Sequence, residues 1–164
     1  MKMTAPSMQA NLGEIHNLSI QKGTLTESDR YRINEHIIAT IRMLESLPFP
    51  KELARIPEIA GGHHETLKGT GYPKKLTAEN LSLEARILAI ADIFEALTAG
   101  DRPYKKAKTL SEAIKILHLM VKDQHLDKDL FELLLTSGIY QRYAEQYLEP
   151  GQLDEVDIQH YLKA

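Results

Sequence analysis

His63 and His64 stand side by side ahead of Glu65, and the segment they open, HHETLKGTGYP, closes on Gly71-Tyr72-Pro73. Neutral imidazoles with a carboxylate are good ligands for iron, manganese or zinc. Histidine with carboxylate, and no cysteine, fits a catalytic site better than a structural zinc. Paired histidines are also often surface residues or core hydrogen-bonders. Position favours ligands here: the pair comes at the end of a helical stretch just before a glycine loop, where side chains can converge on an open site. The glycines of LKGTGYPKKL free backbone amides that can cradle phosphate, and Lys74 or Lys75 could add charge. As a bare pattern Gly-Tyr-Pro also occurs in ordinary turns.

Asp92 is the second chemical clue. It sits in ARILAIADIFEALTA, one of the most apolar stretches of the chain, with Leu88, Ala89 and Ala96 at helical spacing and Glu95 on one flank. A carboxylate on a mostly buried face costs several kcal/mol unless it is paired, hydrogen-bonded or bound to a metal. Either a salt bridge, with Arg86 or a histidine, or a metal ion would answer that cost. His36, inside INEHIIATIRML, reads on its own as a core histidine. Arg102-Pro103-Tyr104-Lys105-Lys106 is a compact basic stretch. Its arginine could grip a phosphate bidentately with Lys105 as a point charge, or the stretch is a solvated linker. His16, His118, His125 and His160 receive no assignment.

The elements that must position these groups read as helices throughout. Thr26 caps one, with Asp29 as its box partner, and the helix stops before Pro48. Pro57 suits the first turn of a second helix, Pro57 to Glu65. Residues 66 to 81 form a loop, because Gly69, Gly71 and Pro73 break helices. A third helix runs from about Leu83 to Ala99. Thr109 and Glu112 open a fourth, ending near Asp123. Asp127 caps a fifth, which Gly138 ends. Two outer helices, Ile139 to Leu148 and Leu153 to Leu162, are parted by Pro150-Gly151. The fold class is all-α, a helical bundle.

A chain of 164 residues makes about one domain and can bury a core without disulfides. The net charge of -3 exerts no global pull on nucleic acid or anionic lipid. The absence of cysteine excludes thiolate metal sites and fits a reducing cytoplasm. No apolar run approaches the roughly 20 residues of a membrane helix.

With LEARILAIADIFEALTAGDRPYKKAKTLSEA following HHETLKGTGYP, the chain resembles the HD-GYP domains, bacterial metal-dependent phosphodiesterases that open cyclic di-GMP. The resemblance runs from about Gly23 to Ser137. It implies that His36, His63, His64 and Asp92 are metal ligands, with iron or manganese preferred and zinc the alternative. It implies that Gly71, Tyr72 and Pro73 form the signature loop, associated with substrate binding and with docking of GGDEF-type partners. Arg102 and Lys105 would hold substrate phosphate. The domain would span 23–137, after an N-terminal segment 1–22 that is a linker or a replacement for missing helices, and before a C-terminal helical extension, 138–164.

Two departures from the family pattern stand out. The Asp-Gly that usually opens the signature loop is here Lys68-Gly69. No His-Asp pair, the metal-binding dyad that names the family, occurs anywhere in the sequence; His16-Asn17 is the nearest approach. Two readings follow: a phosphohydrolase domain for cyclic di-GMP or a related cyclic dinucleotide, incomplete in this chain, or an inactive module that binds nucleotide or docks a signalling partner through its loop. Loss of upstream helices would uncover apolar faces of the Ile33–Leu44 and Leu83–Leu97 helices, from which a homodimer is expected.

Overall fold

The structure is a computed structural model that describes residues 26–100 and 107–162. Within them lie seven α-helices: α1 (Glu27–Glu45), α2 (Ile56–Gly62), α3 (Leu83–Thr98), α4 (Leu110–Lys122), α5 (Lys128–Thr136), α6 (Ile139–Tyr147) and α7 (Ile158–Leu162). Among the described residues the only strand-like pairing is an isolated bridge between Lys68 and Thr77. The fold is all-α.

Local capping sets most helix starts. Thr26 Oγ1 accepts from the Asp29 amide at 3.0 Å while the Asp29 carboxylate accepts from the Thr26 amide at 3.0 Å, satisfying two N–H groups left over at the start of α1. Thr109 and Glu112 repeat the device on α4. Asp127 Oδ1 accepts from the amides of Asp129 and Leu130 to begin α5. Gly138, at φ +70°, takes the left-handed conformation that ends α5 and admits α6.

Three sequence expectations are corrected. The second helix ends at Gly62, not Glu65, because the Glu65 side chain is engaged by the loop that follows. The last helix begins at Ile158, not near Leu153. Asp154 instead accepts from the Ser111 amide at 2.7 Å and the Ser111 hydroxyl at 2.6 Å, so the segment before α7 is drawn across the start of α4. Nor does α6 lie wholly outside, since Tyr140 and Ala144 are buried in the main core.

That main core joins α3 through α6 around Phe94, Ile114, Leu117, Phe131 and Leu135. A smaller cluster on α1 (Ile37, Ile38, Ile41) takes Tyr72 against its side. Between the two clusters runs α2, whose end is built of glycines for a steric reason. A Cβ on Gly61 would stand 2.9 Å from Ile41 of α1, and one on Gly62 would stand 2.9 Å from the Ala85 methyl of α3. The close approach clamps α2 between α1 and α3 and fixes where the following residues, His63 and His64, emerge.

Candidate metal centre

Three histidines from two segments meet at this junction. His36 projects from α1, and His63 and His64 follow α2; one ligand atom from each lies within 4.8 Å of the others. His36 Nδ1 donates to the Ile33 carbonyl at 2.5 Å, and His63 Nδ1 donates to the Ala60 carbonyl at 2.7 Å. A carbonyl can only accept, so the proton of each ring sits on Nδ1 and the Nε2 lone pair is left for a ligand. This is the outer hydrogen bond by which proteins orient metal-binding imidazoles. His36 Nε2 stands 3.2 Å from His64 Nε2. Two nitrogens held roughly 2.1 Å from one ion are separated by roughly 3.0–3.4 Å, so the spacing fits a shared cation.

The electrostatics keep His64 unprotonated. Burial, reinforced by His63 and opposed by Asp92, lowers His64 to about 4, so its ring is neutral at physiological pH. Tyr72 stacks on His64, centroids 4.9 Å apart at 25°. Burial, and then the negative charge of Asp92, raise its phenol above the ordinary value.

Asp92 acts electrostatically on both His64 and Tyr72 but is not part of the three-histidine group. The expectation that it lies on a mostly buried face is corrected, since the residue is exposed. The reason is geometric: α2 crosses α3 at Ala85, and Asp92 lies roughly 10 Å further along the helix axis, beyond the cover of α2. Arg86 is not its partner either. That guanidinium donates to Asp127 Oδ2 at 3.0 Å and to the carbonyls of Leu81 and Ala78, tying α3 to the start of α5.

The signature loop is held from beneath by a residue whose role the sequence reading passed over. Glu65 is 1 % exposed. Its Oε1 accepts from the Lys74 amide at 2.6 Å and its Oε2 from the Leu76 amide at 2.9 Å, so one carboxylate clasps the chain on the far side of Gly71-Tyr72-Pro73. The Tyr72 amide donates to the His64 carbonyl at 3.2 Å, lashing the loop to the histidine pair itself. Gly71 is sterically required, because a Cβ there would fall 2.4 Å from the Glu65 Cα and 2.6 Å from the His64 carbonyl oxygen. Lys68, standing where the family usually has aspartate, bonds to Asp123 Oδ1 at 2.6 Å. Arg102 and Lys105 lie outside the described residues.

The model of a family described as an HD domain matches residues 1–130. The chain belongs to the HD domain family. Its curated relatives are consistent with the HD-GYP branch that the sequence resembles. A 3'3'-cGAMP-specific phosphodiesterase of Vibrio cholerae is 32% identical over 142 residues, 85% of this chain and 31% of the relative. A cyclic di-GMP phosphodiesterase of Pseudomonas aeruginosa is 36% identical over 139 residues, 84% of this chain and 32% of the relative. A cyclic di-GMP phosphodiesterase response regulator of Xanthomonas campestris is 50% identical over 60 residues, 37% of this chain and 16% of the relative. This HD domain chain thus spans a third or less of the length of these relatives. No helix among its described residues is long and apolar enough to cross a membrane.

Proposed function

We propose that this chain is the metal-binding, loop-bearing part of a phosphohydrolase domain that acts on cyclic di-GMP or a related cyclic dinucleotide. The observation that carries the reading is the convergence of the His36, His63 and His64 ligand atoms within 4.8 Å, with His36 and His63 fixed in the tautomer that offers Nε2. The names of the relatives support the substrate class. A divalent cation fits this donor set, with Asp92 supplying the negative charge nearby. Nitrogen and oxygen donors without thiolate favour iron or manganese, with zinc as the alternative. Such an ion polarises phosphoryl oxygens and lowers the pKa of water.

The chain's own residues then divide the work. The Nδ1 bonds of His36 and His63 orient those two rings toward the cation. Glu65 keeps Gly71-Tyr72-Pro73 at the edge of the centre, where the loop meets substrate. Arg102 and Lys105 supply fixed positive charge for phosphate, which a chain of net charge -3 does not offer globally.

The 164 residues contain no His-Asp pair, and this favours a second reading, an inactive module that binds nucleotide or docks a GGDEF-type protein through the same loop. Exposed Leu83, Ile87 and Leu133 support a homodimer, and handling of a nucleotide messenger by a cysteine-free chain goes with the cytoplasm. Binding and turnover separate the readings. The purified chain would be incubated anaerobically with iron(II), manganese or zinc, its bound metal counted, and linear product followed by chromatography. One ion bound, with turnover far below about 1 per second, is the expected result. Ordinary turnover that vanishes in Asp92→Ala would overturn the incompleteness, and absence of any metal binding would overturn the centre. Arg102→Ala is expected to weaken nucleotide binding by roughly 1–3 kcal/mol; equal affinities would mark the basic stretch as a solvated linker.

A further inference from the structure

A cavity of about 410 Å³ opens between the end of α4, the start of α5 and α7. None of the three clustered histidines lines it. Its interior is aromatic: the His118 ring lies 5.1 Å from Tyr161 at 64°, and Phe131 lies 6.4 Å from Tyr161 at 87°. Leu126 adds an apolar wall, and Lys122 and Lys128 line the same space. The volume is in the range of small-ligand sites, which combine apolar walls with a few placed polar groups.

His118 is the polar group inside. It is 9 % exposed, and its ring nitrogens bond to no described residue. Yet among the described residues no fully buried side-chain nitrogen or oxygen lacks a partner. The nitrogens therefore reach the cavity, where a neutral imidazole offers one donor and one acceptor. Burial first, and then the charges of Lys122, His160 and Lys128, hold this ring below its ordinary pKa, while Glu132 shares the cavity wall with the two lysines. Lys128 Nζ lies 3.7 Å from Glu132, so part of its charge is engaged, and Lys122 is the more available cation.

We propose that this cavity is a second ligand site, taking a flat heteroaromatic ring that carries an anionic group, of the class of the purine nucleoside monophosphates. The ring would lie against Tyr161 and the cavity-facing edge of His118, with Phe131 packed behind them in the core. The anion would meet Lys122 at the rim. Two residues of the signature-loop base, Leu67 and Ala78, also line the cavity, and they are joined by the bond from the Ala78 amide to the Leu67 carbonyl at 2.9 Å. An occupant would thus bear on the loop that borders the histidine centre.

Calorimetric titration of the full chain with guanosine 5'-monophosphate tests the assignment, with guanosine and inorganic phosphate titrated separately. Saturable binding is expected in the wild type and in His64→Ala. Lys122→Glu, an exposed position that leaves the core intact, is expected to weaken binding by about fivefold or more, the size of one solvent-exposed charge contact. His118→Gln, its fold checked by circular dichroism, is expected to weaken it as well. Binding that is lost in His64→Ala but kept in Lys122→Glu would place the nucleotide at the histidine centre and overturn the proposal. So would guanosine binding as tightly as the monophosphate, or no saturation at ~10 mM ligand.

Discussion

His36 Nε2 and His64 Nε2 face each other at 3.2 Å across 28 positions of sequence. With the His36 proton held at Nδ1 by the Ile33 carbonyl, that ring presents a lone pair to its neighbour, the arrangement a shared cation would satisfy. Replacing either ring with alanine is expected to cost more in manganese affinity than the roughly 10–100-fold that loss of an outer partner costs. Calorimetry with manganese measures it. Unchanged affinity in both variants would remove the histidines from the ligand set.

Glu65→Ala leaves the Lys74 and Leu76 amides without their acceptor. Each unsatisfied buried donor costs about 1–3 kcal/mol, so urea unfolding should register a loss of about 2–5 kcal/mol. Glu65→Gln keeps one acceptor oxygen and should lose less. A loss under about 0.5 kcal/mol in Glu65→Ala would mean that water replaces the carboxylate without penalty.

Gly71→Ala drives a methyl into backbone rather than into a movable side chain. Overpacking of this kind typically costs about 1–3 kcal/mol. The loop should yield first, so the stacking of Tyr72 on His64 should loosen along with the fall in Tm. Tyrosine fluorescence and thermal melts of the variant check both. A wild-type Tm would show that the backbone at Glu65 gives way without cost.

Acid should destabilise the metal-free protein before the carboxylates titrate. His64, His118 and His125 all lie below their ordinary value of 6.5, with burial the largest cause in each. The unfolded chain therefore binds protons that the folded one refuses, and stability rises with pH in that window. The contribution is complete above about pH 6.5 and is lost as pH falls toward 4. Tm measured with chelator present should hold above about pH 7 and decline between about pH 6.5 and 5. A flat profile through that range would mean that the three rings are hydrated in solution.

Helix starts were legible where the cap and its partner are neighbours in sequence, as with Thr26 and Asp29 or Thr109 and Glu112. The start of α7 was not, because Asp154 answers to Ser111, 43 positions away. Periodicity placed Asp92 on a particular side of α3, but whether another helix covers that side depends on how far α2 extends, which no local pattern encodes. Nothing in the His36 segment alone distinguishes it from a core histidine; only the family resemblance singled it out. Glu65 escaped notice because its partners are backbone amides, which every residue possesses and no motif announces.

Gln152 Nε2 donates to the Thr98 carbonyl at 2.8 Å and to the Lys108 carbonyl at 2.9 Å. Those two carbonyls are the abutments of the segment that carries Arg102 and Lys105. One amide group, lying beyond the residues matched by the family model, therefore joins the Lys108 amide, which donates to the Leu97 carbonyl at 3.0 Å, in holding these two ends together, while His36 and His63 are anchored to their own segments. The two sets of anchoring bonds share no residue. A change at Gln152 would loosen the junction of Thr98 with Lys108 and leave the Nδ1 bonds of His36 and His63 untouched.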